Sequence, residues 1–382
     1  MTGKTVLISG AGIAGPVLAH RLAEHGFRPT VVEWAATPRS SGSPVDVAGP
    51  ALEIAERMGV LPRLREAATR VSRLRLLDAA GRPVTTLPAQ ALQSGGGSVE
   101  IPRGDLAELL YEAARDRAEF VFGDSIETLV QDGDGVDVTF RTGAPRRFDL
   151  VVGADGLHST VRRLAFGPET EFVHHIGLYV ATLPLDEPTA DPRTVDLYNA
   201  PGRLVAVHPV RGSSLAFFAY RGPAVPDFSP RDLALHRDLL TAAYADTAGW
   251  RVPELLDRTR TGADLWFDAV SQVRIPRWSR GRVTLVGDAA SSVSLFGDGS
   301  SLAMTGAHTL AARLGATPED HAAAFAAYEA RHRALVDPKQ RNVHRVASLL
   351  VPATRGGVAV RNFGARLWAA GSALRTSRAV AA

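Results

Sequence analysis

The chain has 382 residues, a length that suits two or three domains of about 150 residues each. Hydrophobic residues make up 45% and charged residues 22%, the balance of an ordinary globular protein, which excludes whole-chain disorder, a collagen-like repeat and a coiled coil. The formal charge is only +3 and there is no cysteine, so disulfides, thiolate metal sites, redox dithiols and a cysteine nucleophile are all excluded.

The chain opens as strand, tight turn, helix. Thr5 to Ser9 is rich in β-formers, Gly10 to Gly15 makes the turn, and Pro16 to Glu24 has helical spacing. Gly26 caps that helix, and Pro29 to Glu33 is a second strand, which completes a βαβ unit. A polar, glycine-rich segment and a helix from Pro50 to Met58 follow. Residues 73–96 carry a hairpin, with its turn at Ala80-Gly81-Arg82. A helix is predicted from Gly104 to Arg115, then strands at 119–122, 126–131, 136–140 and 150–152, and a helix beginning near Ser159. Residues 171–277 alternate apolar and polar positions and hold many prolines, the pattern of an antiparallel sheet with one covered face. From Val283 a buried strand returns, followed by a glycine-rich loop and two predicted helices, Ala322 to Arg331 and Val343 to Val351. The last residues, from Ser377, read as frayed.

Three motifs carry chemistry. The first is Gly10-Ala11-Gly12-Ile13-Ala14-Gly15, between a strand and a helix, with Glu33 ending the next strand. Glycines there allow a tight turn, close approach of a pyrophosphate and close helix–strand packing, and the acid suits a free ribose 2′-hydroxyl. This motif alone does not separate NAD from FAD. In the second, an apolar strand ends in Ala154-Asp155-Gly156, ahead of Ser159 and Arg162. In the third, a strand ends in Gly287-Asp288 and leads to Gly297-Asp298-Gly299-Ser300-Ser301. Read alone, the second and third are strand-end turns.

In this order and spacing the three motifs resemble the class A flavoprotein monooxygenases, the FAD-dependent aromatic hydroxylases. The nearest likeness is to tetracycline-inactivating and actinomycete tailoring monooxygenases. Ile101-Pro102-Arg103-Gly104-Asp105-Leu106 and Trp278 to Val283 extend the likeness, which covers about residues 4–345. It implies an α/β fold: a Rossmann-like, three-layer FAD-binding domain, and a second domain built on an antiparallel sheet flanked by helices. The first would comprise 1–72, 97–170 and 278–382, and the substrate domain 73–96 and 171–277. It implies that Gly10, Gly12, Ala14 and Gly15 seat the FAD pyrophosphate and that Glu33 holds the ribose. Arg39 and Arg103 would lie near the phosphates or ribityl chain, Ile126 near adenine, and Asp46 near the flavin. Asp155 would support FAD and NAD(P)H use, Asp288 would bind the ribityl chain, and Gly299, Ser300 and Ser301 would face the flavin ring.

The resemblance implies FAD as cofactor and NAD(P)H as a transient co-substrate. A flavin C4a-hydroperoxide formed from O₂ would then hydroxylate or epoxidise an aromatic or polyketide-like small molecule in secondary metabolism. Candidate substrate contacts are His175, Tyr179, Tyr198, His208, Phe217, Tyr220 and Phe296, although for each one taken singly a structural role is the commoner reading. The sequence identifies no catalytic base. One departure stands out: Ser291 to Phe296 holds no proline, where family members carry one or two. It motivates a second reading, an FAD protein that catalyses a non-redox step such as a cyclisation. An NAD-dependent dehydrogenase and a binding-only protein are further alternatives. No metal site is expected. Nor is a nucleic-acid partner, because no basic run is interleaved with aromatics. No apolar run approaches the ~20 residues of a membrane span, so no membrane partner is expected either. The expected setting is cytoplasmic, as a monomer or homodimer.

Overall fold

The computed structural model describes residues 3–37, 43–89, 97–226, 228–262, 264–293 and 298–380. The chain divides into two units. One comprises Met1–Ala68, Gly95–His174 and Ser271–Val343, the other Thr69–Ser94, His175–Val270 and His344–Ala382.

The first unit is built on a six-stranded sheet. Its centre is β1 (Thr5–Ser9), which leads through α1 (Ala14–Glu24) to β2 (Arg28–Glu33). Strand Leu150–Gly153 pairs with β1 on the side away from β2, in parallel, and Val283–Leu285 pairs with Leu150–Gly153, also in parallel. Glu119–Phe122 closes the edge beyond β2 and the short antiparallel strand Ser279–Arg280 closes the other. Val6, Leu7, Ile8, Val151, Val152 and Leu285 are fully buried, so these strands read as unbroken apolar runs rather than alternating ones. The parallel arrangement has a functional consequence. It sets Ser9, Glu33, Gly153 and Leu285 at the carboxyl ends of the strands, along one edge, where open α/β sheets take their ligands.

Two boundaries differ from expectation in this unit. Helix α1 starts two residues earlier, at Ala14, and a helix over Leu61–Glu66 joins the one at Pro50–Arg57. The two helices predicted near 322–331 and 343–351 are one, His321–Leu350, which runs through Pro338. Proline costs a helix one hydrogen bond. Here Phe325, Tyr328, Val336, Val343 and Ala347 are all buried along its length, and that packing carries the helix across the break.

This helix also buries an unused titratable group. His332 is 1% exposed, its ring lies against Tyr328 and Trp278 at 5.8 and 5.9 Å, and neither ring nitrogen has a hydrogen-bond partner among the described residues. Burial pushes its pKa down to about 4 from an ordinary 6.5. Between those values the unfolded chain takes up a proton that the folded protein does not. Stability therefore falls as pH drops through this window, by up to about 1.4 kcal/mol per pH unit. His332→Leu is expected to flatten that fall and to raise stability at neutral pH, because two polar atoms no longer lie buried without partners. Urea titrations of both proteins at neutral and mildly acid pH measure this. Identical pH dependence in the two would refute it.

The second unit holds a seven-stranded sheet, in the order Trp266–Val273, Val173–Leu185, Ser213–Arg221, Arg203–Val210, Thr194–Ala200, Arg73–Leu77, Pro83–Pro88. Its pairings are antiparallel in the hairpins, as at Val205↔Phe218, and also between Val173–Leu185 and Ser213–Arg221, as at Tyr179↔Tyr220. Thr194–Ala200 pairs in parallel with Arg73–Leu77. Helices Leu233–Tyr244 and Val252–Thr261 cover one face, over Tyr179, Val205, Phe218 and Tyr220. The opposite face is tied to the C-terminal segment. Asn199 Nδ2 donates to the Leu350 carbonyl at 3.0 Å and Arg221 Nε to that of Val351 at 2.7 Å. Those carbonyls, left unpaired at the end of a helix, need such donors. The bonds explain why His344–Ala382 groups with the sheet, where the sequence reading put all of 278–382 with the first unit.

Candidate cofactor site

The site assembles at the carboxyl edge of the six-stranded sheet. Gly10 has φ 105°, and a Cβ there would lie 2.5 Å from the Ala154 carbonyl oxygen, so the first motif needs glycine to pass beneath the second. A Cβ on Gly15 would drive into the carbonyl oxygen of Gly10, which sets the close approach of α1 to the turn. Gly12 is different: an added Cβ would meet nothing within 4 Å. No contact among the described residues demands glycine there. Helix α1 begins at Ala14 without a side-chain cap, so its first amide groups are available to an anion.

Glu33 reaches across from the end of β2. Its carboxylate accepts from the Ala11 amide at 2.8 Å and the Ala35 amide at 3.0 Å, which fixes it beside the glycine turn. Asp155 accepts from Ser9 Oγ at 3.2 Å, from the Val161 amide at 3.1 Å and from Ser159 Oγ. Burial pushes its carboxyl above the usual range, and the hydrogen bonds from Ser159, Val161 and Ser9 pull in the other direction. Ser159 also caps the helix Thr160–Ala165, accepting from the Arg162 amide at 3.0 Å.

The third motif closes on the first. Gly287 has φ 65°, and a Cβ there would lie 3.2 Å from Ala14 Cβ and 3.6 Å from Ala303 Cβ. Asp288 follows, half-buried, at the start of the helix Asp288–Ser291. A Cβ on Gly299 would lie 3.9 Å from Asp288 Oδ1, so the two glycine-rich turns adjoin. Ser301 Oγ donates to the Asp46 carbonyl at 2.9 Å and accepts from the Ala48 amide at 3.0 Å. One hydroxyl thus staples the first turn of helix Asp298–Ala316 to strand Val45–Ala48. Ser300 beside it is buried.

Other expected residues are placed less centrally. Ala14 is buried where α1 meets Gly287. Arg103 is exposed in the first turn of helix Arg103–Ala114, with no hydrogen bond or ion pair among the described residues. Ile126 pairs with Phe140 and its side chain is in the core, so only its backbone is available to a ligand. Arg39, Phe296 and Gly297 lie outside the described residues.

Two residues mattered more than their sequence context suggested. Arg162, fully buried, donates from Nη1 to the Ala289 carbonyl at 3.1 Å and from Nη2 to that of Leu157 at 2.5 Å. It ties the Asp155 turn to the Asp288 turn. Gln340 Nε2 donates to the carbonyls of Val273 at 2.9 Å and Ser292 at 3.0 Å, while Ser292 Oγ donates to Ser271. Side-chain bonds therefore anchor the described half of the proline-free segment. A cavity of about 320 Å³ lies beside it, lined by Trp278, Ala290, Ser291, Arg333 and Gln340 among others. The arginine was visible as a helix residue, but nothing marked it as buried. No sequence signal singled out the glutamine.

The proposed substrate contacts fall into two groups. Tyr179, Tyr198 and Tyr220 are buried in the core beneath the two helices, where Tyr179 stacks on Tyr220 at 5.2 Å and on Phe267 at 5.7 Å. Tyr179 OH donates to the Pro223 carbonyl at 2.9 Å, and burial raises its pKa. His175 packs on Tyr179 at 4.7 Å and its Nε2 lies 3.1 Å from the Gly222 carbonyl. Phe217 alternates with the buried Ala216 and Phe218 and is half-buried on the opposite face. His208 alternates in the same way with Val207, and its Nδ1 lies 2.9 Å from the Pro209 carbonyl.

A family model for the FAD binding domain matches residues 4–339. The chain belongs to this FAD-binding family. It is 38% identical over 354 residues to Rv1260 of Mycobacterium tuberculosis, an uncharacterized protein, covering 88% of this chain and 92% of that one. It is 33% identical over 341 residues to a flavin-dependent monooxygenase of Legionella longbeachae, covering 88% and 87%. The crystal structure of tetracycline destructase Tet(55) superposes with a TM-score of 0.82 at 32% identity, covering 96% and 97%. This member of the FAD-binding family is a class A flavoprotein monooxygenase with FAD as its cofactor. Among the described residues, no cluster of acidic and histidine side chains could hold a metal ion, and no helix is long and apolar enough to cross a membrane.

Proposed function

We propose that the protein uses NAD(P)H and O₂ to hydroxylate an aromatic or polyketide-like small molecule in secondary metabolism. The observation that carries the reading is the convergence of three distant strand ends, at Gly10, Asp155 and Asp288, on one edge of the parallel sheet. The similarity to tetracycline destructases supports a polycyclic, oxygen-rich substrate.

The residues divide the work by their chemistry. The open space at Gly12 and the uncapped start of α1 receive the pyrophosphate, and Arg103 adds positive charge. Glu33 accepts from ribose hydroxyls, and Asp288 accepts from the ribityl chain. Gly299 to Ser301, at the positive end of helix Asp298–Ala316, would hold the electron-rich side of the flavin ring system. The Ser301 staple holds Asp46 against that side. Bound FAD supplies the redox and oxygen chemistry. On the sheet of the second unit, Phe217 and His208 are the substrate contacts, because their face is not the one that the two helices fill. The anchoring of Ser292 by Gln340 favours this reading over a non-redox role, since the proline-free segment is tied down by other means.

The test starts from the visible spectrum of the purified protein, followed by anaerobic titration with NADH and NADPH. The expected result is a bound oxidised-flavin spectrum that one nicotinamide bleaches, with oxygen uptake accelerated by a tetracycline or similar ring system. Bound FAD that neither nucleotide reduces, with any candidate substrate present, would overturn the proposal.

A further inference from the structure

The last helix, Arg355–Val380, turns polar side chains toward its own sheet and apolar ones toward solvent. The side toward the sheet of its own unit carries Arg361 and Asn362: Arg361 Nη2 donates to Asn199 Oδ1 at 2.6 Å and Nε to Asn362 Oδ1 at 2.9 Å. The solvent side carries Val360, Phe363 and Leu367, exposed by 73, 63 and 59%. Positions 360, 363 and 367 follow helical spacing and form one stripe. Single exposed apolar side chains are ordinary, but a row of three on one helix face marks an interaction surface. Leu349, 59% exposed near the end of the preceding helix, follows the exposed Arg345 by one turn.

Charge supplies the second observation. Residues 338–382 hold eight arginines and lysines and no aspartate or glutamate, although the whole chain is only +3, so residues 1–337 are net acidic. The basic residues are spread along the last two helices rather than run together.

We propose that this C-terminal face docks on an anionic phospholipid surface. The apolar stripe would enter the boundary between headgroups and acyl chains, and the flanking arginines would meet lipid phosphates. A second copy docking through the same C-terminal face is a poor occupant, because that face would bring the same positive charge and no carboxylate to answer it. The sequence reading expected no membrane partner because it sought a spanning run. A helix lying on the surface needs none, and this inference is independent of the substrate reading above.

The test floats the full-length, FAD-loaded protein with vesicles of phosphatidylcholine, alone or with phosphatidylglycerol. Binding is expected only where phosphatidylglycerol is present, and it should weaken in high salt. The double variant Phe363→Ser, Leu367→Ser should bind about tenfold less tightly or worse, with FAD absorbance unchanged. A second variant, Arg345→Gln with Arg355→Gln, changes charge alone and should also lose about tenfold, so the test survives misfolding of the first. Three results would each overturn the proposal. One is no flotation with either vesicle, and another is equal flotation of wild type and both variants. The third is a self-association that the apolar variant abolishes while vesicles stay bare.

Discussion

Gly12→Ala is expected to weaken FAD binding about tenfold or more while leaving the melting temperature of the apoprotein within about 2 °C of wild type. Gly15→Ala is expected to destabilise the apoprotein itself, by about 3 kcal/mol or more. Both are one-methyl changes in the same turn, and the contrast comes from what each methyl would meet. At Gly15 it runs into the Gly10 carbonyl oxygen, a backbone atom that cannot rotate away, so α1 must lift from β1. The cost is therefore carried by the protein whether or not cofactor is present. At Gly12 it meets no atom of the described residues within 4 Å, so the expected objection is a ligand's. Equilibrium dialysis of FAD and thermal melts of the stripped protein separate the two effects. A Gly12→Ala protein that binds FAD as tightly as wild type would show that the pyrophosphate does not cross the turn at this position.

That contrast also shows where the sequence was informative. All three glycines of the first motif look alike in the sequence, and only geometry assigns one to the turn, one to helix packing and one to open space. The βαβ unit was legible because two buried parallel strands and a helix have different periodicities, and the glycines punctuate them. The seven-stranded sheet was legible as alternation, but its order was not. Order depends on the return of Thr194–Ala200 to Arg73–Leu77, a pairing between segments far apart in the chain. Tyr179 and Tyr220 illustrate the limit for candidate pocket residues. An aromatic on an alternating strand looks the same whether its face is covered by helices or left for a ligand, and here two helices cover it. Asp124 is a related case. It reads as a turn residue, and it is one. Burial would raise its pKa, but hydrogen bonds from the Ser125, Gly143 and Thr142 amides outweigh burial and hold the carboxyl below its usual range.

Arg162→Met is expected to cost about 3–5 kcal/mol of stability and to release FAD, although no cofactor contact is assigned to this side chain. The guanidinium is fully buried between two turns that the sequence separates widely. Burial opposes its charge, and Glu169 and Asp155 support it. Methionine fills much of the same volume but leaves the carbonyls of Leu157 and Ala289 without their donor. It also strips Glu169 of a cation at 3.5 Å, leaving His158 as its remaining basic partner. Burial pushes the Glu169 carboxyl up, yet His158 and Arg162 hold it below its ordinary value. A carboxyl with a depressed pKa adds stability above its unfolded value, and that stability is lost as pH falls through the folded one. The variant should therefore be weaker at neutral pH and should also lose part of the wild type's steepness on the acid side. Arg162→Lys keeps the charge but presents one nitrogen in place of a planar fork, so it cannot satisfy both carbonyls and should fall between the two. Urea titrations over a pH series give all three stabilities, and flavin fluorescence reports release. If Arg162→Met costs less than about 1 kcal/mol, the link between the Asp155 and Asp288 turns does not depend on this residue, and the two strand ends are held in register by the sheet alone.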